Sequence, residues 1–288
     1  MRALTLLWHE SRENRPRNGR LPLDRTERVL VMPIVTFMKY LLKTATSLGD
    51  GGEASVQLRN LRLPPAHMRQ CTEEFKDDEY FVASAEREVR KLVKHCGLSS
   101  DSRILEIGCG SGRLPIGLLS ARQLVRSYDG VDVDKDSIKW CDRWIGSEHS
   151  AFRFHYVDVH NERYNSKGAV RLDDGFRFEF PAEHFDVIYS YSVFTHMEVD
   201  DINVYLRECK RLLAPTGNMF LTAYLEDDVP DASINPPGYR QQSRGPLHRV
   251  RLNRPYFSDL LRPLKLRLFR FDHNGEFDGQ SGLYLTHD

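Results

Sequence analysis

The chain has 288 residues, enough for one large domain or two small ones, and its 41 Lys+Arg balance 41 Asp+Glu to zero net charge. That balance argues against a general nucleic-acid or membrane-surface binder held by charge, so no DNA partner is expected. The cysteines (Cys71, Cys96, Cys109, Cys141, Cys209) are scattered without a Cys-x-x-Cys pair, which argues against a disulfide framework or zinc site and predicts a reducing, cytoplasmic setting.

Residues 1–77 read as an N-terminal extension. Met1–Trp8 is apolar but too short for a secretory signal. Residues 9–28 are rich in Arg, Asn and Pro and read as mobile. Val29–Leu48 is apolar enough for a helix, but Pro33 and Lys39 interrupt it and Val29–Leu42 falls short of the ~20 residues that span a bilayer. Packing on the main domain is its default role; a lid, a homodimer contact and membrane-surface contact through residues 29–42 stay open. Leu48–Glu53 reads as a linker, and residues 54–77 as irregular, broken at Pro64-Pro65.

From Asp78 to Asp288 the pattern is that of a regular domain. Tyr80–Cys96 has helical spacing and stops at Gly97, a good C-cap. Strands are expected at Arg103–Ile107, Tyr128–Val133, Phe152–Val157, Phe185–Tyr191 and Asn218–Tyr224. Helices are expected at Arg113–Ala121, Asp136–Ile145, Asp200–Leu213 and Pro255–Leu261, and closing strands at Leu266–Phe271 and Gly282–Thr286. Such alternation predicts an α/β fold, a parallel sheet with helices on both faces.

The most informative stretch is Ile104-Leu-Glu-Ile-Gly-Cys-Gly-Ser-Gly112. Gly108, Gly110 and Gly112 follow a short strand and precede a helix, with Cys109 between the first two. Only glycine lets a backbone turn this tightly and lie against a ligand, and the turn offers free N–H groups at a helix N-terminus. A dinucleotide fingerprint needs Gly-x-Gly-x-x-Gly, but here the third glycine comes early and Arg113 stands in its place. Glu106 on the strand would repel a pyrophosphate and pair with a ligand ammonium. This E-x-G-x-G-x-G arrangement resembles motif I of the class I S-adenosylmethionine (SAM) methyltransferases.

In an open α/β sheet the ligand lies across the C-terminal strand ends. Asp132, at the second tip, can accept both hydroxyls of a ribose, which suits a nicotinamide enzyme as well. Asp158, at the third, can accept an adenine amino group, with Val133 and Val159 flanking the ring. The fourth strand, which includes Ser190, supplies backbone carbonyls beside the methionine part of a cofactor. Together with Phe185–Met197 and Leu212–Leu221, these segments resemble the class I methyltransferase core over residues 78–288. Ile138-Lys-Trp-Cys141, Tyr164-Asn-Ser-Lys-Gly168 and Ser192–Met197 resemble a bacterial subgroup whose substrates are mostly unassigned. Thr216-Gly217 departs from the family's usual Gly-Gly. The resemblance implies a seven-stranded, mostly parallel Rossmann-like sheet with its last strand antiparallel, SAM as cofactor and S-adenosylhomocysteine (SAH) as product.

Missing motifs narrow the acceptor. The fourth segment has neither Asn/Asp-Pro-Pro-Tyr nor Pro-Cys, which argues against amino-group methylation of DNA bases or glutamine and against cytosine carbon methylation. No metal-ligand spacing stands out, so a metal-independent enzyme is expected. His196 lies just past the fourth strand, where the methyl should point, and is the candidate general base; helix packing is its alternative role. Tyr164, Tyr191 and His273 are candidate acceptor contacts, and His160 and His155 lie nearer the adenine end. Residues 226–248, with Arg240, Arg244 and His248, read as a lid, a specificity loop or a solvated surface loop. The leading reading is O-methylation of a small molecule (saccharide, glycolipid or natural product). The alternatives are N-methylation of a small molecule, peptide or RNA, a nicotinamide oxidoreductase, and a non-catalytic SAM-binding module.

Overall fold

The computed structural model describes residues 55–288. The basic segment, the apolar run 29–48 and the linker lie outside the described residues. A hairpin of β1 (Val56–Leu58) and β2 (Leu61–Leu63) opens the described chain, where the sequence pattern suggested irregular structure. The long helix α1 (Asp78–Cys96) follows. Asp77 caps it by accepting from the Tyr80 amide at 2.8 Å, and Gly97 ends it in the left-handed region at φ 71°. Its buried face, Phe81, Val82, Ala85, Val89, Leu92 and Cys96, has the spacing expected of one helix stripe.

β3 (Arg103–Ile107) leads into α2 (Arg113–Ser120), then β4 (Ser127–Asp132), α3 (Lys135–Cys141) and β5 (Phe152–Tyr156). α3 is shorter than expected because it widens into a π turn over Asp142–Gly146. β6 (Phe185–Ser190), α4 (Val199–Leu212) and β7 (Leu213–Glu226) follow. β7 is longer than expected: its first residue pairs with Phe185, a bulge intervenes, and pairing resumes at Asn218 with Val187. Two short strands, β8 (Ala232–Ile234) and β9 (Val250–Asn253), occupy what reads from the sequence as one long loop. α5 (Arg254–Leu261), β10 (Leu266–Asp272) and β11 (Ser281–His287) complete the chain.

The main sheet runs β10-β11-β7-β6-β3-β4-β5. β3, β4, β5, β6 and β7 are parallel, and β11 is antiparallel to both β7 and β10. The expected seven-stranded run is there, and β9 extends the end of β7 in parallel, with β8 antiparallel beside it. Strand order moves outward from β3 to β5, then restarts at β6 on the other side of β3. That reversal opens a crevice at the C-terminal ends of β3 and β6.

Alternation along the strands divides the core into two layers. Leu105, Ile107 and Ile188 pack with Ile202, Leu206 and Cys209 of α4, whereas Ile104, Val187 and Tyr189 pack with Phe81, Val89 and Leu92 of α1. α1 and α2 cross closely because Gly117 has no side chain: a Cβ there would sit 2.6 Å from the Ala85 carbonyl.

Residues 55–77 belong to the same compact unit as the rest of the described chain, so the line drawn at residue 78 falls inside it. Leu63 and Phe75 are buried in its core. Arg69 is buried too, donating to the Pro64 carbonyl at 2.8 Å and to Asp78 Oδ1 at 2.8 Å.

Candidate active site

The crevice holds a cavity of about 350 Å³. Its floor is the turn after β3. The amides of Gly108 and Cys109 donate to the Val131 carbonyl at 2.9 and 3.1 Å, tying the turn to β4. The Gly110 amide donates to Asp132 Oδ2 at 2.6 Å, and the Asp134 amide to Oδ1 at 2.8 Å. Asp132 thus fixes the loop, and each oxygen keeps a lone pair for a ligand.

The three glycines do different work. Gly108 has φ 77°, and a Cβ on it would lie 2.2 Å from Val193 Cγ2. Gly110 has φ 49° and nothing within 4 Å of its Cβ position, so its missing side chain leaves open space. Gly112 has φ 83° and does not line the cavity; a Cβ there would sit 2.9 Å from Ile145 Cδ1 and 3.1 Å from Cys141 Sγ. The third glycine therefore serves the packing of α2 on the π turn.

Two acids face the cavity from this side. Burial pushes the Glu106 carboxyl up to about 8, against the lowering effects of the Tyr128 hydroxyl bonded to it and of Arg113. Burial also pushes Asp132 up to about 6, against the amide bonds that favour its charge. Both acids are desolvated, and a cation or hydroxyl pair placed beside them would restore what burial removed.

The opposite wall comes from the end of β6. Tyr191, Ser192, Val193, His196 and Met197 line it. His196 is 9% exposed. Its Nδ1 lies 2.9 Å from the Leu247 carbonyl, which can only accept, so Nδ1 carries the proton; Nε2 is left as an acceptor that no donor among the described residues reaches. Burial first, then Arg163, His248 and Arg249, hold its pKa down to about 4 against the Leu247 bond. The ring packs edge-on to Tyr164 at 5.4 Å and parallel to His248 at 6.4 Å.

Beneath this wall lies a charged network. Arg113 donates to the Tyr189 hydroxyl at 3.1 Å, which donates to Glu88 at 3.1 Å. Lys91 bridges Glu88 and Glu276. The Arg113 guanidinium also stacks on Tyr191, 4.5 Å from the ring centroid, and on Phe75 at 5.2 Å. The residue that breaks the dinucleotide pattern is therefore a buried support for the aromatic walls.

Of the residues singled out in the sequence, Glu106, Gly108, Cys109, Gly110, Asp132, Val133, Val159, Tyr164, Tyr191, His160 and His196 share the cavity. Asp158 does not line it: Val157 and Val159 face inward, and alternation turns Asp158 towards the Tyr156 hydroxyl at 2.7 Å and Asn165 at 3.2 Å. Ser190 is buried beneath the wall, its hydroxyl without a partner among the described residues. His273 is exposed on the β10–β11 connection, bonded to Asn274 and outside the cavity.

The sequence reading missed two contributors. Met68, Arg69, Gln70, Cys71 and Phe75 cover the glycine loop, and Ser111 Oγ donates to the Met68 carbonyl at 3.1 Å. Phe277, Asp278 and Gln280 close the far end. The first group had one signal, an aromatic two residues before an Asp-Asp helix start; the second had none. Among the described residues no group of three or more His, Cys, Asp or Glu is placed to hold a metal ion, and no helix is long and apolar enough to cross a membrane.

A family model described as a methyltransferase domain matches residues 81–270. The phosphoethanolamine N-methyltransferase of Plasmodium falciparum is 26% identical over 155 residues, 52% of this chain and 50% of that protein. The ubiquinone biosynthesis O-methyltransferase of Bradyrhizobium diazoefficiens is 30% identical over 139 residues, 48% of this chain and 44% of that one. The chain thus spans about half the length of these curated relatives. Among solved structures, a Pyrococcus horikoshii protein aligns with TM-score 0.49 and 15% identity, covering 76% of this chain and all of that one. A Burkholderia thailandensis 1,6-didemethyltoxoflavin N1-methyltransferase, solved with SAH, aligns with TM-score 0.46 and 16% identity over 73% of this chain and 79% of that one.

The residues present fit SAM. Open space at Gly110 admits a ligand against bare backbone, the desolvated Glu106 suits an ammonium, and the spare lone pairs of Asp132 suit a ribose. The matched region runs from Phe81 on α1, through the parallel strands, to Arg270 on β10: the chain belongs to the methyltransferase domain family.

Proposed function

We propose that this enzyme methylates a hydroxyl oxygen of a small acceptor, with His196 as the general base. One observation carries the reading: the Leu247 carbonyl fixes the proton on Nδ1 and leaves Nε2 as an acceptor in the cavity wall. Bound SAM supplies a methyl group on a sulfonium, which departs as a neutral thioether. The protein's part is to hold the acceptor in line and take up its proton. The O–H proton passes to Nε2 as the oxygen gains its methyl. With a pKa near 4 the imidazole is unprotonated at neutral pH but only weakly basic. It suits a phenolic or enolic hydroxyl, with a pKa of about 10, better than an alkanol.

In the same reading, the backbone of Gly108, Cys109 and Gly110 lies against the cofactor, and Asp132 accepts its ribose hydroxyls. Glu106 faces its ammonium, directly or through water, and Val133 and Val159 flank its adenine. Tyr164 and Tyr191 shape the acceptor side. An amine acceptor would arrive protonated and would also need a base, so the discriminating experiment uses both classes. SAH release is measured with phenols, methyl glucosides and benzylamine, for the wild type and His196→Gln. Turnover of a hydroxylated probe that falls about 100-fold or more in the variant supports the reading. Turnover of amines alone, or a rate indifferent to His196, overturns it.

A further inference from the structure

The connection between β10 and β11 is held more firmly than a hairpin turn requires. The Phe277 amide donates to the Tyr191 hydroxyl at 3.1 Å. Gln280, 2% exposed, accepts from Thr222 Oγ1 at 2.6 Å and donates to Ser192 Oγ at 3.0 Å. These bonds pin the turn to the ends of β6 and β7. At its tip Asp278 has φ 53° and ψ 23°, a left-handed conformation that a residue with a side chain adopts at a cost.

That conformation aims the carboxylate into the cavity. Oδ2 accepts from the Tyr224 hydroxyl at 2.7 Å and from Arg249 at 2.9 Å. Among the described residues no donor reaches Oδ1. The Asp278 side chain is 19% exposed and its Arg249 partner 3%. Asp278 lines the cavity beside Tyr191, Ser192, Tyr224, His248 and Phe277. Tyr191 and Gln280 already fix the turn, so the ion pair is not needed to close it.

We infer that Oδ1 of Asp278 accepts a hydrogen bond from a second hydroxyl of the acceptor, so that the enzyme selects acceptors with one hydroxyl to methylate and another to hold. This rests on the hydroxyl reading above. Charge favours a hydroxyl over an ammonium: Arg249 already neutralises the carboxylate, and a further cation in this part-buried place would be left unbalanced. The walls favour a flat apolar body between the groups. Phe75 and Phe277 lie 6.4 Å apart at 36°, with Tyr191 supported by Arg113 beside them.

Phenol is compared as methyl acceptor with catechol, resorcinol and hydroquinone, for the wild type and Asp278→Asn. In the variant the amide oxygen faces Tyr224 and Arg249 and the NH2 group turns to the cavity; the second hydroxyl can then only accept from a neutral amide, a weaker bond than the charge-assisted one it donates to a carboxylate. The wild type is expected to prefer at least one dihydroxybenzene over phenol by about tenfold or more in kcat/KM, chiefly through KM. In Asp278→Asn that ratio falls towards one while SAH affinity holds. A ratio taken within one variant does not depend on how much of it is folded. Phenol turned over with no isomer preferred, or a preference equal in both proteins, overturns this inference and leaves the hydroxyl reading standing. Benzylamine methylated with every hydroxyl probe inert overturns the hydroxyl reading and this inference with it, and inertness of all the probes overturns the aromatic diol.

Discussion

The two ends of the cavity are made of different material. Below β3 and β4 the surface is mostly backbone, drawn from two short segments and stitched together by amides bonded to Val131 and Asp132. Beyond β6 it is mostly side chains from distant places: Cys71, Tyr191, His196, Tyr224, His248, Asp278 and Gln280. A backbone cradle depends on glycines and a loop length, so it serves any protein that binds the same cofactor. A side-chain wall is recut by single substitutions, and the proposed function puts acceptor specificity there.

If that contrast holds, the largest effect comes from adding one carbon to the cradle. Gly108→Ala places a Cβ 2.2 Å from Val193 Cγ2 at φ 77°. SAH affinity, by calorimetry, should fall about 100-fold or more, a loss of ~2.7 kcal/mol. Val193→Ala in the same protein should recover only part of it, because the backbone strain remains.

On the side-chain wall, His196→Gln should lower kcat about 100-fold and leave SAH affinity within about twofold. The wild-type rate should stay level well below pH 6.5 and fail only on approach to the folded value near 4. Stability moves the same way: between 6.5 and about 4 the unfolded chain takes up a proton that the buried ring refuses, so stability declines as pH falls through that window.

Glu106 tests the floor. Its folded pKa near 8 lies above its ordinary 4.5, so the native state holds the extra proton and wild-type stability falls as pH rises from 4.5 to about 8. Glu106→Gln should match the wild type in Tm near pH 4.5 and exceed it at pH 9. Its SAH affinity should drop about tenfold. An unchanged affinity would remove Glu106 from the cofactor site.

The second and third glycines separate binding from packing. Gly110→Ala meets no atom within 4 Å, so it should cost about 1 kcal/mol of stability yet weaken SAH binding. Gly112→Ala presses on Ile145 and Cys141, so it should cost about 1–3 kcal/mol of stability, with the smaller effect on binding. The smallest effect is expected of His273→Ala, within about twofold in kcat and KM, since the ring lies outside the cavity.

Much of the fold was legible because its signals are local. Strands β3 to β7 and the five α-helices among the described residues follow from apolar runs, caps and Gly or Pro stops, as at Asp77 and Gly97 around α1. The unforeseen parts are short or depend on partners. β8 and β9 are three and four residues long, and β9 is ordered by pairing with the end of β7. The hairpin β1–β2 and the strap through Arg69 gain their order from burial against the domain.

The sequence by itself determined the cradle: a strand, three glycines, a helix and an acid at the next strand tip can meet in few ways, because backbone sterics and sheet topology leave few. Tertiary structure alone decided how each residue is used. It turned Asp158 and His273 out of the cavity, set Gly112 against the π turn, made Arg113 a support for aromatic rings, and brought Leu247 to His196 and Asp278 to the far wall. Most of those outcomes depend on residues that meet from separate elements, as His196 and Leu247 do across 51 positions of chain, and no local preference encodes such a meeting.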